Sequence, residues 1–270
     1  MTQQQNGCDD RLDRRLASVL VIVPLALAVT LAGPLVFAAF VALALLVLVG
    51  EWSELVCRDV GRQSASRVLS LHAVLAIALG FVGQPALGLA VGLGGGIMAG
   101  LVIAGDRGRW FVAGAVYLIA PGVASVFVRG GPDGLIHMLW LFAVVWSTDT
   151  GAYLAGRLIG GPLIAPSFSP NKTWAGLLGG WTIGGAVGIA VGHAVSPVGP
   201  VALDGLAVVA ALVSGATQLG DMGESALKRH FGVKDTGSLL PGHGGLLDRL
   251  DGFLIAVMIL AASVAFGWRL

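Results

Sequence analysis

The 270-residue chain has little charge and little cysteine, and each shortage excludes something. Only 11% of its residues are Asp, Glu, Lys or Arg, where a soluble domain carries about 25%. With 56% hydrophobic residues and a mean hydropathy of +0.88, most of the chain must face something other than water. Cys8 and Cys57 are too few and too far apart for a disulfide framework or a thiolate metal site. The net charge of +1 says nothing by itself, and no nucleic-acid partner is expected. Glycine, in contrast, is abundant at 42 residues, and small residues let membrane helices approach closely. These facts read as an all-α polytopic membrane protein.

A bilayer is spanned by about 20 apolar residues. On that scale the sequence predicts nine helices, at 16–33, 34–51, 68–84, 86–104, 111–129, 134–156, 176–194, 201–222 and 252–269. The first run opens after Arg14 and Arg15 as a signal peptide would. A second run follows at once with no persuasive cleavage site, so it is read as retained. With the N-terminus in the cytoplasm, nine crossings place 14 of the 16 Lys and Arg residues inside and leave Arg129 and Arg269 outside. A wrong helix count would mix these two sets, since basic residues collect on the cytoplasmic side. The chain then divides into a cytoplasmic polar tail, 1–15, N-terminal transmembrane helices, 16–133, and a C-terminal transmembrane catalytic region, 134–270.

Most polar residues in the apolar runs have an ordinary explanation. Glu51, Trp52 and Glu54 fall where the second helix meets the cytoplasm and read as an interfacial anchor. Gly94, Gly95 and Gly96 lie inside an apolar helix, with neither a preceding strand nor a following Lys-Ser/Thr, and read as packing. His72, His137 and His193 stand alone and read as structural.

Two segments rise above that background. Trp146, Asp149, Thr150 and Tyr153 follow i, i+3, i+4, i+7 spacing and share one face of the sixth helix. Asp149 precedes Arg157 by eight residues, about 12 Å along a helix. A carboxylate at that depth costs a few kcal/mol, which implies a wet cavity or a cation beside it. The second segment is the loop 166–174, where Ser169, Asn171, Lys172 and Thr173 gather just before the seventh helix. Anions are stabilised at such helix N-termini.

The densest chemistry lies between the last two helices. Ser214, Gln218, Asp221, Ser225 and Lys228 are separated by four, three, four and three residues, so they form one stripe on a continuous helix with Glu224 beside it. A short polar segment holds Lys234 and Asp235, a Pro241-Gly-His-Gly-Gly245 turn follows, and Asp248, Arg249 and Asp251 precede the last helix. The glycines permit close backbone approach to a ligand. The short connection lets Asp221 and Asp248 face each other across a groove. Paired carboxylates among cations suit phosphoryl or nucleotidyl transfer, where positioning and charge neutralisation do most of the catalysis. Magnesium takes one or two carboxylates plus phosphate oxygens.

This stretch resembles the signature of the phosphatidate cytidylyltransferase (CDP-diacylglycerol synthase) family. The likeness runs from Ser225, Lys228 and Arg229 through Lys234, Asp235, Gly237, Leu240, Pro241 and His243 to Asp248, Arg249 and Asp251, with no departure. Asp149-Thr-Gly-Ala-Tyr153, Ser169-Pro-Asn-Lys-Thr-Trp174 and Gly220-Asp-Met-Gly-Glu-Ser225 are similar to the family's other polar blocks. The resemblance implies that CTP and phosphatidic acid give CDP-diacylglycerol and pyrophosphate. It implies magnesium, with potassium as an accompanying ion, on Asp221 and Asp248. It also implies a homodimer in the lipid bilayer, in a bacterial inner membrane, with the active site at the cytoplasmic face. Within that reaction Lys228, Arg229, Lys234 and Arg249 are expected to neutralise phosphate charge, and His243 to orient pyrophosphate or protonate it. Asp149, Ser169, Asn171, Lys172, Thr173, Ser225, Gly244 and Gly245 are expected to bind substrate.

Two other classes are weighed against this one. A CDP-alcohol phosphotransferase would carry an Asp-Gly-x-x-Ala-Arg block, which is absent. An ion-coupled transporter using Asp149 would favour inverted repeats, and the sequence has no convincing internal repeat.

Overall fold

The computed structural model describes residues 22–57, 61–103, 105–166, 169–196, 203–237 and 244–270. The 1–15 tail and His243 lie outside these residues. The described residues are almost wholly helical: α1 (Ile22–Leu31), α2 (Pro34–Val56), α3 (Arg62–Phe81), α4 (Pro85–Val102), α5 (Gly105–Gly130), α6 (Gly134–Leu158), α7 (Trp174–Val195), α8 (Leu203–His230) and α9 (Leu247–Ala265). By length and hydropathy six of these qualify as membrane spans, namely α2, α3, α4, α5, α7 and α8. Helix α1 has a shorter described length, and the polar residues that form the site interrupt α6 and α9. Large apolar side chains such as Leu43, Leu71, Leu101, Leu178 and Leu212 point outward, as a protein solvated by lipid requires.

The break between the first two helices is chemically set. Gly33 has φ 111°, a conformation that side chains other than glycine rarely adopt, and Pro34 then starts α2. Helix α2 does not stop at residue 51 but continues to Val56. Helix α5 relaxes into a π-helical turn over Ala115–Ile119, which carries Tyr117 to within 5.6 Å of Trp52, ring to ring.

Glycine decides the packing of the C-terminal half. The buried residues of α7 are Gly176, Gly180, Gly184, Gly188 and Gly192, one every fourth position and therefore one stripe. Against this stripe α6 and α8 come close enough for polar contacts between helices. Trp140 Nε1 donates to the Gly188 carbonyl at 2.7 Å, Thr148 and Ser214 hydroxyls meet at 2.9 Å, and Gln218 Nε2 donates to the Leu177 carbonyl at 2.9 Å. Gly95 and Gly96 likewise give His72 and Ala115 room, and His72 Nδ1 lies 2.8 Å from the Val68 carbonyl, so the packing and structural readings of these residues hold.

The loop ahead of α7 is more ordered than expected. It is a two-stranded antiparallel hairpin, β1 (Leu163–Ala165) with β2 (Ser169–Thr173), pairing Leu163 with Thr173 and Ala165 with Ser169. Thr173 then caps α7 by accepting the Gly176 amide at 3.1 Å. Helix α8 has 28 residues, a length of about 42 Å. That exceeds a hydrocarbon core of about 30 Å, so its last turns reach beyond the apolar layer and carry the charges found there.

Candidate active site

Polar groups converge where the ends of α6 and α8 and the start of α7 meet the hairpin. A cavity of about 570 Å³ opens there, lined among others by Asp149, Tyr153, Arg157, Asn171, Lys172, Thr173, Gln218 and Asp221. Each side chain arrives by a local rule. Asp149, Tyr153 and Arg157 are four residues apart on α6, and Arg157 Nη1 donates to the Tyr153 hydroxyl at 2.7 Å. Gln218 and Asp221 are three apart on α8. The hairpin swings Lys172 across to Asp221, where Nζ lies 2.6 Å from Oδ2.

Asp221 also belongs to a second group. Its carboxylate and those of Glu224 and Asp251 offer oxygens that all lie within 4.8 Å of one another. The i, i+3 step brings Glu224 beside Asp221, and the packing of α9 on α8 brings Asp251 to both. Glu224 is 1% exposed, and its Oε1 has no hydrogen-bond partner. A buried, unpartnered carboxylate oxygen between two more acids is costly unless a cation sits nearby. The donor set is all oxygen, which fits magnesium.

A third group lies below these acids. Lys228 Nζ is 2.8 Å from Glu224 Oε2 and 2.8 Å from Asp248 Oδ1. The other oxygen of Asp248 accepts the Gly245 amide at 2.7 Å and both the amide and hydroxyl of Thr236 at 3.0 Å. Gly244, at φ 80°, turns the chain so that its position leaves room for that carboxylate. Asp248 stands in the first turn of α9, ahead of the apolar run that starts at Gly252. Burial would raise its pKa, but the hydrogen bonds from Lys228 and the Gly245 and Thr236 amides outweigh burial and hold it well below the usual carboxylate range. One continuous polar strip thus runs from Asp149 through Lys172, Asp221 and Glu224 to Lys228 and Asp248.

The expected residues distribute as follows. Asp149, Asn171, Lys172, Thr173 and Asp221 share the cavity. Lys228, Gly245 and Asp248 form the loop group, with Gly244 at its turn. Ser225 is half-buried between the two on α8. Ser169 is buried in the hairpin, and Arg229, Lys234 and Arg249 are exposed at the surface near the strip. Asp221 and Asp248 are joined through Lys228 and Glu224, and the carboxylates gathered round Asp221 are Glu224 and Asp251. Sequence reasoning gave those two no ligand role, although the i, i+3 steps 221/224 and 248/251 were there to read. Arg157 was counted only as a cytoplasmic charge.

The anchor reading of Glu51 and Trp52 is overturned. They are 7% and 2% exposed and face protein, not the interface. Trp52 Nε1 donates to the Trp110 carbonyl at 2.9 Å. Glu51 reaches the start of α9, accepting the Leu246 amide at 2.8 Å and the Leu247 amide at 2.9 Å. Only Glu54 is exposed, 3.8 Å from Arg62. The signal available in sequence was the cost of a carboxylate closing an apolar run, which demands a partner.

The model of the cytidylyltransferase family matches residues 13–266. The phosphatidate cytidylyltransferase of Brucella suis biovar 1 (strain 1330) is 39% identical over 253 residues, 92% of this chain and 92% of that protein. The phosphatidate cytidylyltransferase of Brucella abortus biovar 1 (strain 9-941) is 39% identical over the same shares. That of Staphylococcus haemolyticus (strain JCSC1435) is 48% identical over 128 residues, 47% of this chain and 48% of that protein.

Proposed function

The chain belongs to the cytidylyltransferase family, and we infer that it transfers the cytidylyl group of CTP to phosphatidic acid, releasing CDP-diacylglycerol and pyrophosphate. It is a nucleotidyltransferase of phospholipid biosynthesis and a multi-pass membrane protein. The observation that carries the site is the unbroken strip of Lys172, Asp221, Glu224, Lys228 and Asp248 at the polar ends of apolar helices.

In this reading an ionised phosphatidate oxygen attacks the α-phosphorus of CTP. A new P–O bond forms there, and the bond to the β-phosphate breaks, its electron pair leaving with pyrophosphate. No strong general base is required, because the attacking phosphate is already an anion. Lys172 and Arg157 face the cavity and neutralise substrate phosphate, while Lys228, Arg229, Lys234 and Arg249 serve the nucleotide and the leaving group. Ser169, Asn171, Thr173 and Ser225 supply hydrogen bonds around them, and His243 orients or protonates pyrophosphate. Asp221 with Glu224 and Asp251 would hold magnesium, with potassium as an accompanying ion, which when bound supplies charge neutralisation for the nucleotide phosphates. Asp248 joins that group through Lys228.

The same proposal includes nine crossings, a cytoplasmic N-terminus and an active site on the cytoplasmic face of a bacterial inner membrane. The charge asymmetry supports it, and so do contacts between helix ends assigned to one side. Arg129 donates to the Thr30 carbonyl at 3.0 and 2.8 Å, and His137 lies 5.6 Å from Trp268, all at outer ends. Glu51 with Leu246, and Lys172 with Asp221, pair inner ends. Cytosolic CTP and leaflet phosphatidate would meet at that face. A homodimer completes the proposal, to be read from cross-linking in membranes.

The test is incorporation of labelled CTP into lipid by the purified protein, with magnesium added and removed, alongside Asp221→Asn and Asp248→Asn. Loss of turnover in the variants and without metal is expected. Near-normal turnover in both folded variants would sink the assignment of these acids, and absence of turnover by the parent protein would sink the reaction.

A further inference from the structure

We infer that Glu51, in the N-terminal half of the chain, is a positioning residue for the transfer: it fixes the loop that sets Asp248 and Lys228. The inference rests on the reaction proposed above. Leu246, the residue preceding α9, has no side chain able to cap the helix. The first amides of any helix lack partners within it. Here Glu51 supplies them in trans, with Oε1 on the Leu246 amide and Oε2 on the Leu247 amide, so both oxygens are committed to the loop. Its negative charge also meets the positive end of the α9 dipole.

The loop is shaped around this carboxylate on two sides. A Cβ at Gly237 would stand 2.9 Å from Glu51 Oε1, and one at Gly245 would stand 2.6 Å from Oε2. Both limbs therefore close on Glu51 because glycine leaves room. The effect is passed on within a residue: the Gly245 amide donates to Asp248 Oδ2 at 2.7 Å, and Asp248 Oδ1 holds Lys228 at 2.8 Å. Glu51 is itself held firmly. The neighbouring Trp52 is buried and bonded to the Trp110 carbonyl, and a side chain at Gly114 would collide with the Trp52 ring. A cap delivered from α2 leaves the loop to glycine.

Two variants approach the contact from opposite sides. Glu51→Gln keeps the shape but turns one acceptor into a donor facing an amide. Gly237→Ala leaves Glu51 intact and pushes it off the loop, and should be read if Glu51→Gln fails to fold. Each is expected to lower kcat at least tenfold while KM for CTP and for phosphatidate stays within about threefold. Amide exchange in peptides covering 244–250 should accelerate at least tenfold, with peptides of Trp174–Val195 unchanged. A kcat within twofold of the parent protein would overturn the inference. So would lost turnover with the 244–250 amides still protected, or faster exchange throughout every helix. If the parent protein itself fails to turn over CTP, the reaction is refuted, and the exchange comparison still decides whether Glu51 holds the loop.

Discussion

Replacing Lys228 with Met removes the cation between Glu224 and Asp248 while keeping most of the side-chain volume. The three side chains are 17%, 1% and 7% exposed, so the two carboxylates would be left close together with little water. Breaking a buried ion pair by deleting one partner costs about 3–5 kcal/mol. At roughly 2–4 °C per kcal/mol for a chain of this size, the melting temperature in detergent should fall by about 10 °C. The second variant tells repulsion from lost packing. In Lys228→Met with Glu224→Gln one of the stranded charges is gone, so roughly half of the loss should return. Differential scanning fluorimetry on the parent, single and double variants reads both numbers. A single variant within 2 °C of the parent (about 1 kcal/mol or less) would refute the claim that these acids depend on Lys228. A double variant no more stable than the single would refute the repulsion argument.

Three further outcomes follow from other parts of the structure. Gly184→Ala would place a Cβ 2.6 Å from Ser214 Oγ, so it should cost about 1–3 kcal/mol by overpacking and lower the melting temperature without altering magnesium dependence. Lys172→Met breaks a pair whose side chains are 26% and 42% exposed; stability should change by only about 0–1 kcal/mol, whereas KM for phosphatidate should rise roughly tenfold, equivalent to about 1.4 kcal/mol. Glu224→Gln and Asp251→Asn should each raise the magnesium concentration for half-maximal rate by roughly tenfold, again about 1.4 kcal/mol. Titration of metal at saturating CTP checks this, and unchanged half-points would remove those two acids from the metal group.

What could be read along the chain was whatever depends on near neighbours. Apolar runs of bilayer length marked the helices, because a membrane helix must satisfy its own backbone hydrogen bonds. The Gly33-Pro34 break, the i, i+4 faces of α6 and α8, and the charged turn were legible for the same reason: helical periodicity is local. Boundaries moved where a helix continued past its apolar run, since hydropathy is blind to both cases here: the end of α2 is buried in protein, and that of α8 carries charges. The hairpin of Leu163–Ala165 with Ser169–Thr173 escaped notice because two strands of three and five residues carry too little alternation to read.

The site's assembly required the tertiary structure. Lys172 and Asp221 are both polar residues at helix ends in any reading, but only the hairpin's path brings Nζ to 2.6 Å from the carboxylate. Asp251 joins Asp221 and Glu224 because α9 packs on α8, and no spacing within either helix states that. Glu51 is the sharpest case. It lies 195 residues before Leu246, and alone it looks like an interfacial acid at the end of an apolar run. Sequence periodicity determined which residues share a face. The folded chain decided which faces meet, because contacts between distant segments depend on packing that no local pattern encodes.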